Sequence, residues 1–272
     1  MNKYNIQELI GKGKFGSVYK GINKKTHNPV AIKIETESSF SVLKHETTIL
    51  NYLYRKGCHT IPLIYWYGLY LYQPTLVMTY FEQVITAEQF SIVSFLRLLT
   101  ILEKIHSLGV IHRDIKPANM MLKNGEIFLI DFGFANFFVN EHFEHKEHCI
   151  KEYIIGTPNY ISIHIHNGNE ASRRDDLISL GYSYLYLDSS IVNPLEVFSG
   201  SNITDETIYP EMHIKHPNLL EKRERKKWTK MESFLSSELK IFHYLKYCYD
   251  LQYNETPNYA KLREIFLTGT TA

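Results

Sequence analysis

Cysteine is scarce in this sequence: Cys58, Cys149 and Cys248 are three in 272 residues, they stand far apart, and they form no Cys-x-x-Cys pair. That speaks against a disulfide framework or a zinc knuckle and suits a reducing compartment. Net charge is missing too. With 30 Lys plus Arg against 29 Asp plus Glu, no global field draws the chain toward nucleic acid or anionic membrane, and neither is expected as a partner. No apolar run approaches about 18 residues, and the opening MNKYNIQELIGKGKFG has no apolar leader core, so an intracellular protein, cytoplasmic or nuclear, is expected. No solenoid repeat and no Pro/Ser/Gly-rich linker divides the chain. What is present is hydrophobic mass, 44% of residues, ample for a buried core.

The first eighty residues read as strands around one helix. Strand-like runs cover Tyr4 to Ile10, Val30 to Ile34 and Thr75 to Tyr80, and β-branched residues dominate the middle one. Between them Val42, Leu43, Ile49, Leu50 and Leu53 recur at helical spacing, predicting a helix from about Phe40 to Tyr54. After Phe81 the pattern turns helical. Ile92, Phe95, Leu96, Leu99, Leu102 and Ile105 form one stripe that stops at Gly109, a helix C-cap residue. The expectation is an α+β chain, a β-rich N-lobe over 1–81 and an α-rich C-lobe over 82–272 within one domain.

Gly11, Gly13 and Gly16 form a G-x-G-x-x-G before Val18. A dinucleotide fingerprint needs a strand, then glycines, then a helix, whereas these glycines lie between two strand-like runs, as in a loop that folds over nucleotide phosphates. Lys33 closes Val30-Ala31-Ile32-Lys33 on an apolar strand, where its ammonium needs a carboxylate; Glu46 on the predicted helix is the candidate. Next comes Ile111-His112-Arg113-Asp114-Ile115-Lys116-Pro117-Ala118-Asn119, charged and amide groups at fixed offsets after a helix end. Asp114 suits acceptance of a hydroxyl proton, Lys116 suits balancing phosphoryl charge, and Asn119 suits holding a magnesium ion. Asp131-Phe132-Gly133 follows the apolar run Ile127 to Ile130 and offers Asp131 as the second magnesium ligand.

These four motifs, in this order, resemble the eukaryotic-type protein kinase superfamily from about Tyr4 to Phe266. Within it the chain looks most like casein kinase I, on Val30-Ala31-Ile32-Lys33-Ile34-Glu35, Ser172-Arg173-Arg174-Asp175-Asp176-Leu177, Ser179-Leu180-Gly181-Tyr182, Pro257-Asn258-Tyr259, Leu262-Arg263 and Phe266. The resemblance implies a two-lobed kinase fold and transfer of the γ-phosphoryl group of ATP, with Mg2+, to serine or threonine hydroxyls of proteins. It implies that Ile10, Gly11, Lys12, Gly13, Lys14, Phe15, Gly16, Ser17 and Val18 cover ATP, that Ala31 and Val18 sandwich adenine, and that Met78 is the gatekeeper before a hinge at Thr79 to Phe81. Asp176 is expected to hold the backbone around His112 and Arg113. Arg173 with part of Lys222, Arg223, Lys226, Lys227 and Lys230 resembles the basic groups with which that family favours acidic or already phosphorylated protein substrates. Such a run taken alone is an ordinary solvated helix face.

Ser162-Ile163-His164, similar to that family's Ser-Ile-Asn, stands where most protein kinases carry Ala-Pro-Glu, so the buried glutamate ion pair of most kinases is absent. There are departures. Pro158-Asn159 replaces Ala-Arg, and Asp188 to Leu220 lacks the family's Leu-Pro-Trp-x-Gly. Between Gly133 and Gly156 there is no serine or threonine, only Tyr153 as a hydroxyl to phosphorylate, which predicts constitutive activity. His142, His145, His148 and Cys149 invite a zinc reading, weighed against chance spacing in a loop. The rival functions are a pseudokinase scaffold and a kinase of small alcohols.

Overall fold

The computed structural model describes residues 1–13, 16–36, 42–188, 213–237 and 239–267. Lys14 and Phe15, the predicted helix start at Phe40, and most of the stretch 188–220 lie outside the described residues. The chain divides into two compact units, one built from residues 1–84 and 120–135, the other from 85–119 and 136–272.

The first unit is built on a five-stranded antiparallel sheet in the order β1-β2-β3-β5-β4. Its strands are β1 (Tyr4–Gly13), β2 (Gly16–Asn23), β3 (Pro29–Glu35), β4 (Ile64–Tyr70) and β5 (Gln73–Thr79). Strand β3 runs through the middle and is buried on both faces, which is why its sequence is a nearly unbroken apolar run. Val30, Ile32 and Ile34 pack with Tyr4 and Val77 on one face. Ala31 points the other way, into a cluster with Leu43, Leu76 and Met78. Lys33, two residues on, belongs to Ala31's face by the period of two.

Helix α1 (Val42–Arg55) buries Leu43, Glu46, Ile49, Leu50 and Leu53, so one carboxylate rides on an otherwise apolar stripe. Strands β6 (Gln83–Val84), β8 (Met120–Lys123) and β9 (Glu126–Leu129) form a second small sheet in the order β6-β8-β9. The hairpin β8-β9 thereby delivers Asp131-Phe132-Gly133 to this unit, although these residues come long after β5 in sequence.

The second unit is largely helical. Helix α2 (Ile92–Ser107) starts at Ser91, whose side chain accepts the Ser94 N–H; of the predicted stripe Phe95, Leu99, Leu102 and Ile105 are buried, whereas Leu96 is half-buried and Ile92 exposed, and Leu98 joins the buried face. The predicted stop at Gly109 falls one residue past the C-cap Leu108, where Gly109 takes φ 77° and donates its N–H to His106 O. Short strands β7 (Val110–Ile111) and β10 (Asn136–Phe137) pair antiparallel. A single turn, α3 (Ile163–His166), is capped by Ser162, and α4 (Arg173–Leu187) follows. Helix α4 is buried nearly all round, and its side chains meet the helices over Lys240–Asp250 and Tyr259–Leu267. Phe95 sits among Tyr184, Tyr244 and Phe266 at centroid separations of 5.2, 5.1 and 4.6 Å. Those ring contacts fasten α2 to the rest of this unit's core. The α+β expectation, a β-rich first part with one helix and a helical remainder, agrees with this architecture.

Candidate active site

In the first unit the glycines sit on a hairpin. Strands β1 and β2 pair antiparallel with Gly11 opposite Val18, Lys12 opposite Ser17 and Gly13 opposite Gly16. No helix follows, which is the arrangement that separates a phosphate-covering hairpin from a dinucleotide fingerprint. Gly16 has φ 153°, and a Cβ there would stand 2.1 Å from Ile34 O, so this position admits only glycine. Ile10 is exposed, Ser17 is buried and Val18 half-buried, with Val18 opposite Lys33 across β2 and β3. Ala31 and Met78 are partners across β3 and β5, and both are buried.

Lys33 is held by two carboxylates. Its Nζ donates to Glu46 Oε1 at 2.9 Å and Oε2 at 3.1 Å, and to Asp131 Oδ1 at 2.9 Å. Burial alone would lower its pKa, but Asp131 and then Glu46 raise it above the ordinary lysine value, so it stays charged. Glu46 is 1% exposed. Burial pushes its carboxyl up, Lys33 opposes that, and the Phe132 N–H donates to Oε1 at 3.2 Å. Phe132 is fully buried, and His45 Nε2 donates to Ala135 O at 2.6 Å, tying α1 to the residues after Asp131. Asp131 itself takes a left-handed backbone, φ 64°.

In the second unit the loop after α2 is organised by Asp176 of α4. Its Oδ2 accepts the His112 N–H at 2.7 Å and its Oδ1 the Arg113 N–H at 2.8 Å. His106 Nε2 lies 3.0 Å from Oδ2, and its Nδ1 meets the Tyr259 hydroxyl at 2.5 Å. Burial would raise the Asp176 carboxyl, yet His106, followed by the His112 backbone donor, holds it below the usual carboxylate range. Arg113 is consequently pinned at φ 69°.

Asp114, Lys116 and Asn119 converge. Lys116 Nζ lies 3.0 Å from Asp114 Oδ2. Asn119 Nδ2 donates to Asp114 O at 2.8 Å and Oδ2 at 3.2 Å, turning its amide oxygen away from Asp114. Sequence reasoning missed a fourth member, Thr157. Its N–H and hydroxyl both donate to Asp114 Oδ1, at 3.0 and 2.7 Å, and Lys116 Nζ donates to the same hydroxyl at 2.8 Å. The available signal was Gly156 before it: its φ is 104°, and a Cβ at that position would stand only 2.5 Å from Arg113 O, so the turn lies directly against the Arg113 backbone.

The basic run requires a correction. Lys222 and Lys226 are not on a solvated or substrate-facing surface; they are 1% and 0% exposed. Lys226 Nζ donates to Pro158 O at 2.9 Å and Ile161 O at 2.6 Å, stands 3.3 Å from His166 Nε2, and lies 4.7 Å from the centroid of the Tyr182 ring. Lys222 donates to Asn159 Oδ1. Two lysines therefore grip the segment 158–161, just ahead of Ser162-Ile163-His164. Arg173 donates to Thr256 Oγ1 at 3.1 Å and Asn254 O at 2.7 Å, while Lys227 and Lys230 are exposed. His145, His148 and Cys149 have separate partners, Lys146 O, Asn169 Oδ1 and Glu170 Oε2 respectively. Among the described residues no group of three or more His, Cys, Asp or Glu is placed to share a metal. No helix of the described residues is long and apolar enough to cross a membrane.

Each unit carries a hard oxygen donor of the kind that suits magnesium. Asp131 offers a carboxylate and Asn119 an amide oxygen, the hard donors that Mg2+ prefers, each within its own unit. At Gly13 a Cβ would meet nothing within 4 Å, so the space beside that residue is open. Protein kinases as a family use ATP and Mg2+. The protein kinase domain matches residues 4–258, so the chain belongs to the protein kinase domain family.

Proposed function

We propose that this chain is a serine/threonine protein kinase of casein kinase I type, active without phosphorylation of its own segment, forming one kinase domain over residues 1–272 with lobes over 1–81 and 82–272. The observation that carries the reading is the Asp114 carboxylate, 3% exposed, oriented by Thr157 and Lys116 through bonds of 2.7 to 3.0 Å. A carboxylate fixed by donors from several sides is held in one orientation, which a base for a substrate hydroxyl requires.

In this reading Asp114 accepts the proton of the serine or threonine hydroxyl, and Lys116 offsets charge on the phosphoryl group in transfer. Lys33, steadied by Glu46, binds the α- and β-phosphates, and the hairpin from Ile10 to Val18, with Lys12, Gly13, Lys14, Phe15, Gly16 and Ser17, covers them. Val18 and Ala31 enclose the adenine, with Met78 behind it. Asp131 and Asn119 hold magnesium, whose chemistry when bound is to neutralise charge on the phosphate oxygens. Acceptor sites flanked by acidic or phosphorylated residues are proposed on the family likeness, with exposed Lys227 and Lys230 as the basic groups left at the surface.

Incubation of the purified chain with labelled ATP, Mg2+ and casein, beside a panel of small alcohols, tests this. Label on serine and threonine of casein is the expected result. Label on an alcohol alone, or on nothing, would overturn it.

A further inference from the structure

Arg113 precedes the candidate base in sequence, and its side chain is only 12% exposed. Its Nη1 lies 3.6 Å from Glu170 Oε1. Glu170, 24% exposed, gathers two further groups at its other oxygen: Lys151 Nζ at 3.2 Å and the Cys149 thiol, which donates at 3.4 Å. The backbone repeats this connection. Glu170 N–H donates to Cys149 O at 3.0 Å, Lys151 N–H donates to Gly168 O at 2.6 Å, and Ile150 bridges Asn169.

One carboxylate thus ties Arg113 to the chain between Gly133 and Gly156. Arg113 is in turn coupled to the site through its main chain: its N–H is on Asp176, and its carbonyl is packed against Gly156, next to Thr157. A shift of Arg113 would reach Asp114 from both sides.

In kinases whose segment is ordered by phosphorylation, the added phosphoryl group supplies an anion to arginine. Residues 134–155 of this chain contain no serine or threonine. We propose that Glu170 is the built-in anionic partner of Arg113, a positioning residue that keeps Asp114 and the Thr157 turn aligned with no phosphoryl group on the segment. The inference rests on the kinase reading above and supplies its regulation. An exposed ion pair would do little. This one is mostly buried, its carboxylate also takes the Lys151 ammonium and the Cys149 thiol, and removing its charge leaves Arg113 desolvated without that counter-charge.

The experiment compares the full chain with Glu170→Gln, Arg113→Gln and the double variant, reading kcat, KM for ATP and melting temperature. Misalignment of a catalytic group predicts that Glu170→Gln lowers kcat about tenfold or more while KM for ATP moves less than about twofold. The double variant is expected to be no slower than Arg113→Gln, because the two side chains act as one unit. Unchanged kcat in a folded Glu170→Gln protein overturns the proposal, as do losses that simply multiply in the double variant. If Glu170→Gln does not fold, Glu170→Asp and Glu170→Asn make the same comparison at equal size; equal kcat for these two overturns the proposal, and a faster Glu170→Asp supports it. A wild-type chain that labels no polypeptide defeats the kinase reading itself, an outcome distinct from an active wild type indifferent to residue 170.

Discussion

Thr157 meets Asp114 with both of its donors, the N–H at 3.0 Å and the hydroxyl at 2.7 Å, on the same carboxylate oxygen. The hydroxyl also accepts from Lys116, so it relays orientation between the two candidate catalytic side chains. Thr157→Val preserves shape and removes that relay. A fall in kcat of about tenfold to a hundredfold is expected, with Thr157→Ser close to wild type. Steady-state kinetics on casein decide it; a Thr157→Val protein at full rate would refute the relay.

Asp114→Asn keeps the size of the side chain and loses the proton acceptor. Transfer should drop about 10²- to 10⁴-fold, the range for losing a general base. Nucleotide affinity, measured by calorimetry, should stay near wild type. Normal turnover in this variant would remove Asp114 from the role.

Lys33→Met leaves Glu46 and Asp131 as neighbouring carboxylates without their shared cation. Breaking a buried pair by removing one partner costs about 3 kcal/mol or more, so both transfer and the denaturant midpoint should fall. A second change, Glu46→Gln, should recover part of the lost stability in Lys33→Met while leaving transfer absent. Stability unchanged in the single variant would show that the trio is not an energetic unit.

The segment carries one phosphorylatable hydroxyl, Tyr153, which is 49% exposed. Phosphatase treatment of protein made in bacteria, and separately Tyr153→Phe, should leave kcat within about twofold of wild type. Loss of transfer in either would contradict constitutive activity.

Acid should weaken the second unit through two histidines that are neutral when folded. Burial, with Arg174 adding repulsion, lowers His164 to about 4, and burial with Lys226 lowers His166 well below the ordinary value. Unfolded, both take up protons near 6.5. Between that value and about 4 the unfolded chain therefore binds more protons, so the stability present above pH 6.5 declines as pH falls through this window. Melting temperature recorded from pH 7 to pH 4.5 should drop steadily, and the drop should shrink in His164→Asn.

Local patterns exposed much of this architecture. The period-two and period-3.6 runs placed β3 and α1, and a lysine and a glutamate on their buried faces had to meet, as Lys33 and Glu46 do at 2.9 Å. Helix α2 was legible to within a residue at its end. What stayed hidden depends on contacts between distant segments. Thr157 and Glu170 look like ordinary polar loop residues until folding brings them to Asp114 and Arg113. Lys222 and Lys226 sit in a run of cations that reads as solvent-facing, because no spacing in the run announces the carbonyls of Pro158 and Ile161 waiting for them.

The enclosure of Lys226 gives the protein an internal gauge. Amine-reactive reagents need an accessible, unprotonated nitrogen, and steric seclusion denies them this one while nearby Lys227 stands open. Brief acetylation followed by mass spectrometry should mark residue 227 and spare 226. Any variant that loosens the segment 158–161 would then announce itself as label appearing on a lysine that is silent in the intact molecule.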